Sequence, residues 1–186
     1  GQKRIVFMGD SITEFWSVTD SEYFIGKPYV NRGISGQTTP QMLIRFRADV
    51  IALKPAVVVV LAGINDIAGN TGPATLDMIA NNIFSMAELA KANNIKVILC
   101  SVLPAYDFSW KPNQNPAEKV VALNKMIKNY ADANDILYLD YFSAMKDERN
   151  GLKIAYSGDG VHPNKLGYQV MAPLAEKAIT EVLAKK

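Results

Sequence analysis

The chain has 186 residues, 49% of them hydrophobic, enough to bury one substantial core, and a single domain spanning 1–186 is the expectation. Twenty Lys and Arg against eighteen Asp and Glu leave a formal net charge of +2 with the cations scattered, which offers no electrostatic footprint for nucleic acid. No apolar stretch approaches the roughly 20 residues needed to span a bilayer, so no integral membrane segment is expected; a start at Gly1 fits a removed secretory leader as well as a cytoplasmic chain and leaves the compartment open.

In chain order, the first apolar run is Ile5-Val6-Phe7-Met8, followed at once by Gly9-Asp10-Ser11-Ile12-Thr13. Tyr29-Val30-Asn31 is a shorter and more polar run leading into the turn-forming Gly33-Ile34-Ser35-Gly36. Leu43, Phe46, Val50 and Leu53 then recur at helical spacing. Val57 through Ala62 form the next run and end at Gly63-Ile64-Asn65-Asp66. A second helical stripe, Leu76, Ile79, Ile83 and Ala87, precedes Val97-Ile98-Leu99-Cys100. Cys100, the only cysteine, reads as a small buried hydrophobe and excludes an intramolecular disulfide.

Pro104 to Pro116 is a long connection carrying Tyr106, Phe108 and Trp110, the composition of a loop that lines a site. Val120, Leu123, Ile127 and Ala131 form a third stripe, and Ile136-Leu137-Tyr138-Leu139 the last apolar run. Asp159-Gly160-Val161-His162-Pro163 then leads into a final stripe of Leu166, Val170, Leu174, Ala178 and Val182, with Pro163 suited to its first turn. Apolar runs without polar alternation suit strands covered on both faces, and strands alternating with helices predict a three-layer α/β/α domain around a parallel sheet.

In such sheets ligands sit beyond the carboxyl ends of the strands. The residues there include a serine, Ser11, at a strand-to-helix turn, and a glycine, Gly33, whose amide a ligand oxygen could approach. Asn65 offers a side-chain amide able to donate to a developing oxyanion. Each alone fits an ordinary cap or turn: a helix N-cap for Ser11, a glycine turn at Gly33, an Asx-turn for Asn65. Asp159 and His162, the only histidine, add a carboxylate and an imidazole three residues apart on one loop. As a set they supply nucleophile, base, orienting acid and oxyanion donors.

The set also resembles the GDSL esterase/lipase family, the SGNH hydrolases: Gly9-Asp10-Ser11 matches the first block, Gly33 the second, Gly63-x-Asn65-Asp66 the third and Asp159-x-x-His162 the last, in the family's order. Ile12 stands where the family's leading Leu follows Asp-Ser, a conservative apolar change. The resemblance implies a flavodoxin-like five-stranded sheet, a catalytic triad of Ser11, Asp159 and His162, and an oxyanion hole from the amides of Ser11 and Gly33 with the Asn65 side chain. Asp10 and Asp66 are assigned capping or hydrogen-bonding roles, and Trp110 a place at the substrate.

No His or Cys cluster has metal-ligand spacing and no glycine loop of phosphate-cradling type occurs, so neither metal nor cofactor is implied. In layout the chain is similar to the compact acetylhydrolases of the family, those like platelet-activating-factor acetylhydrolase and the carbohydrate O-acetylesterases. The expectation is removal of short acyl groups from a glycan or other soluble ester. The alternatives are a lysophospholipase or thioesterase acting on longer chains and a carbohydrate-binding protein without turnover.

Overall fold

The computed structural model describes residues 3–185. Five strands, β1 (Ile5–Gly9), β2 (Tyr29–Gly33), β3 (Val57–Leu61), β4 (Lys96–Cys100) and β5 (Leu137–Leu139), pair in parallel in the order β2-β1-β3-β4-β5. The helices are α1 (Ser11–Thr19), α2 (Thr39–Asp49), α3 (Ile64–Ile67), α4 (Leu76–Ala92), α5 (Pro116–Ala133), α6 (Tyr141–Met145) and α7 (Lys165–Ala184). α1 packs with α7 on one side, and α2, α4 and α5 form the layer on the other. This is the three-layer, flavodoxin-like arrangement expected.

β1 and β3 are buried at every position, consistent with their unbroken apolar sequences. β2, an edge strand, is half-buried throughout, which is why its polar Asn31 and Arg32 are tolerated. The strand order turns back between β1 and β3, the switch point at which open α/β sheets leave a crevice.

Two helices depart from the sequence expectation. The stripe from Leu43 to Leu53 is not one helix: α2 ends at Asp49, and Ile51–Leu53 make a separate 3₁₀ turn closed by left-handed Lys54 ahead of Pro55. In α7 the buried face is Tyr168, Met171, Ala175, Ala178 and Val182, while Leu166 is 48% exposed and Val170 and Leu174 are only partly covered. Tyr168 and Met171 do not stand out in the sequence because the aliphatic residues one or two positions away have a similar period. Pro163 lies outside α7, whose N-cap is Asn164 with its side chain accepting from the Gly167 amide at 2.9 Å.

An aromatic cluster joins the elements that carry the chemistry. Trp16 of α1 stacks on Tyr23 at 4.5 Å and on Tyr168 of α7 at 5.5 Å, and meets Phe7 of β1 edge-on. The buried Tyr168 hydroxyl donates to the Ile12 carbonyl at 2.7 Å. The first turn of α1 is thereby fixed against the start of α7.

Candidate active site

Asp10, not Ser11, caps α1: its carboxylate accepts from the Ile12 amide at 2.9 Å. Ser11 is the first helical residue, so its amide has no acceptor within the helix and its hydroxyl is not consumed by capping. Burial pushes the Asp10 carboxyl up to about 6, against the Ile12 amide, which pulls it down. Ser11 Oγ lies 2.9 Å from His162 Nε2.

His162 Nδ1 lies 2.6 Å from Asp159 Oδ2, while the other carboxylate oxygen accepts from the amides of His162 at 2.8 Å and Val161 at 2.9 Å. Partial burial of Asp159 works to raise its pKa, but the His162 amide, the imidazole and the Val161 amide together lower it to about 2. Asp159 therefore stays ionised and fixes the ring with Nδ1 as donor and Nε2 as acceptor toward Ser11. The side chains of His162 and Asp159 are 28% and 42% exposed, so this end of the contact opens to solvent.

Asn65 is the second residue of the short helix α3, whose N-cap is Gly63 at φ +123. One hydrogen of its side-chain amide goes to the Gln37 carbonyl at 3.0 Å, leaving the second available. Asp66 does as the sequence suggests, accepting from the amide of Thr39 at 3.0 Å and from its hydroxyl at 2.6 Å; burial raises its pKa against these bonds.

Gly33 is placed otherwise than expected. Its amide already donates to Asn31 Oδ1 at 2.9 Å, and a Cβ there would stand 2.1 Å from the Glu14 backbone nitrogen. Its lack of a side chain serves close packing of β2 on α1. Among the described residues the Gly36 amide makes no hydrogen bond, and Gly36 adopts a left-handed φ of +76 in an exposed loop. That loop is tied to the β1–α1 side by Ile34 donating to the Gly9 carbonyl at 3.1 Å, and to the Asn65 side by the Gln37 bond.

The family described as GDSL-like lipase/acylhydrolase matches residues 7–170, nearly the whole chain. The chain belongs to that family. It is a carboxylic ester hydrolase. It is 50% identical to a GDSL-like lipase from Bacteroides thetaiotaomicron, with a TM-score of 0.94 over 96% of this chain and 88% of that one. It is 28% identical to Esterase TesA of Pseudomonas aeruginosa over 87% of this chain and 80% of the relative. An acetylxylan esterase from Geobacillus stearothermophilus shares the fold at 22% identity, with a TM-score of 0.74 over 96% and 95% of the two chains.

Around the Ser11–His162–Asp159 contact of this acylhydrolase, Trp110 is 50% exposed with its ring 6.4 Å from the His162 ring, backed by the fully buried Phe108 at 5.2 Å. Phe15 lies 5.6 Å from the imidazole and is also exposed. Trp16 is instead a core residue, and Tyr106 lies under the Arg149 guanidinium at 4.4 Å. Three participants escaped the sequence reading. Phe15 could have been found as the residue one helical turn after Ser11. Gly36 was overshadowed by the glycine three residues before it. Ser157, whose hydroxyl lies 2.7 Å from the His162 carbonyl and accepts from the Gly160 amide at 2.9 Å, braces the Asp159–His162 loop and has no motif of its own.

Proposed function

We propose that this acylhydrolase removes short acyl groups, acetyl foremost, from a glycan through an acyl-serine intermediate, with Ser11, His162 and Asp159 as its triad. Ser11 Oγ attacks the ester carbonyl carbon while His162 Nε2 takes its proton, and Asp159 stabilises the imidazolium. The tetrahedral intermediate collapses, the alcohol leaves with the proton from Nε2, and the acyl group stays on Ser11. Water, deprotonated by His162, attacks this ester; the acid departs as Ser11 Oγ recovers its proton. The oxyanion is held by the Ser11 amide, the free hydrogen of the Asn65 side chain and the Gly36 amide, which replaces Gly33 in this role.

The observation that carries the reading is the unbroken contact from Asp159 Oδ2 through the His162 ring to Ser11 Oγ, at 2.6 and 2.9 Å. The glycan assignment is supported by what surrounds the imidazole. His162 protonates the leaving alcohol, so the rings beside it border the alcohol half of the substrate. The exposed indole of Trp110, held from behind by Phe108, presents a flat face suited to the apolar face of a sugar. The polar Asn65 amide, tied to the Gln37 carbonyl at 3.0 Å beyond the strand ends, suits a small acyl group better than an alkyl chain.

The test is hydrolysis of p-nitrophenyl acetate, butyrate and octanoate by the wild type and by Ser11→Ala. Acetate turnover that falls with chain length and drops by several orders of magnitude in Ser11→Ala is expected. A preference for octanoate would refute the short-acyl assignment, and unchanged activity in Ser11→Ala would refute the acyl-serine route.

A further inference from the structure

We propose that Glu14 is a positioning residue for the oxyanion loop, its carboxylate holding the Ser35–Gly36 peptide so that the Gly36 amide faces the carbonyl oxygen of an ester bound at Ser11. The inference rests on the acyl-serine reading above. Glu14 Oε2 accepts from the Ser35 amide at 2.7 Å and also from the Ser35 hydroxyl. Two donors converge on one charged oxygen, the stronger class of hydrogen bond. In the first turn of α1 that negative charge also complements the helix dipole.

The loop needs such an anchor. Ile34, Ser35 and Gly36 are all exposed, so no buried apolar side chain clamps them, and Gly36 is a residue type that readily leaves a left-handed conformation. The remaining ties act on either side of the critical peptide. Ile34 donates to the Gly9 carbonyl at 3.1 Å, Asn70 donates to the Gly36 carbonyl at 3.1 Å and Asn65 to the Gln37 carbonyl at 3.0 Å. Among the described residues only Glu14 holds Ser35, the residue whose carbonyl carbon bears the Gly36 nitrogen.

Glu14 also stands three residues after Ser11 on the same helix, one turn away on the same side. Nucleophile and anchor are therefore parts of one rigid element, and the donor is aligned to Ser11 over the shortest available route. Oxyanion donors act in the transition state, so misplacing one lowers kcat rather than ground-state binding.

The experiment compares the wild type with Glu14→Ala, Glu14→Gln, Ser35→Ala and the Glu14→Ala/Ser35→Ala double variant. The readouts are kcat and KM for p-nitrophenyl acetate, melting temperature, and inhibition by phenylboronic acid, whose tetrahedral adduct with Ser11 imitates the intermediate. A displaced donor should cost about 10- to 100-fold, less than or near the loss on deleting one. Glu14→Ala should lower kcat by that factor with KM within about threefold, and weaken boronate binding in parallel. Glu14→Gln, which keeps an acceptor, should recover most of the loss. Ser35→Ala should cost only a few-fold, and the double variant no more than Glu14→Ala alone, because both act on one contact.

A kcat within twofold of wild type in Glu14→Ala, a loss confined to KM, or additive losses in the double variant would overturn the assignment. Should Glu14→Ala melt below the assay temperature, Ser35→Ala decides: wild-type kcat and boronate affinity in that variant overturn the assignment. Ser11→Ala measured alongside separates the two readings. Its inactivity with an indifferent Glu14 sinks the anchor alone, whereas retained activity removes the acyl-serine route and the anchor with it.

Discussion

Replacing Gly33 by alanine separates its packing role from the donor role expected of it. A Cβ at that position meets the Glu14 nitrogen at 2.1 Å, the Asp10 carbonyl oxygen at 2.7 Å and the Glu14 Cα at 2.8 Å. All three are backbone atoms of the α1 entry, so no rotamer change relieves them, and the end of β2 must move away by about 1 Å or more to reach ordinary contact. Overpacking of this kind costs about 1–3 kcal/mol, and the backbone surroundings put this case near the upper end. For a chain of this size that lowers the melting temperature by roughly 6–12 °C. A shift of about 1 Å between Ser11 and the loop following β2 should also reduce kcat by up to about 10²-fold. Alanine keeps the backbone amide, so a glycine needed only as a hydrogen-bond donor would tolerate the change. The assays are thermal unfolding followed by circular dichroism and p-nitrophenyl acetate turnover. A melting temperature within about 2 °C of wild type and a kcat within twofold would refute the packing argument.

Two further outcomes follow from the same geometry. Asn65→Ala should lower kcat by about 10²–10³-fold with little change in KM, and near-normal turnover on p-nitrophenyl acetate would remove Asn65 from the oxyanion hole. Asp10→Asn keeps an oxygen to cap Ile12 but removes a carboxyl that burial raises from 3.8 to about 6, against the pull of the Ile12 amide. Because the folded value lies above the unfolded one, the native state holds the proton more tightly, and this contribution fades as pH rises through about 6. Urea unfolding at pH 4.5 and 7.5 should show wild type losing about 2 kcal/mol relative to Asp10→Asn across that interval. A wild-type-minus-variant difference independent of pH would contradict it.

Much of this was legible in the sequence because strand ends and polar residues are adjacent along the chain. The apolar runs ending at Met8, Ala62 and Cys100 mark three of the strands to within a residue or so, and the groups after the first two face the crevice where the strand order turns back. What could not be read is which of two nearby glycines does what. Gly33 and Gly36 look alike in sequence, and they separate only when α1 is seen lying 2.1 Å from a Cβ on the first and the second is seen at φ +76 with an amide that has no partner among the described residues. The buried face of α7 is hidden in the sequence for a related reason: Tyr168 is buried through a stack on Trp16 and a bond to Ile12, long-range contacts that no local period encodes.

Those contacts explain how two ends of a chain are kept in register for chemistry. Ser11 and His162 are 151 positions apart, yet their side chains must meet within hydrogen-bond range. The His162 loop is set by its own turn, Asp159 and Ser157 binding the amides of residues 160 to 162, so it behaves as a preformed unit. That unit runs directly into α7, and α7 is fixed to the first turn of α1 by the Tyr168 hydroxyl and the Trp16 stack. The loop after β2 is referred to the same turn, through Glu14 to Ser35 and through Asn31 to the Thr13 carbonyl. The positions of Ser11, His162 and the 34–37 loop are thus all referred to one short helix anchored in an aromatic core. A partly solvated pair of side chains, His162 and Asp159, can then keep a fixed geometry.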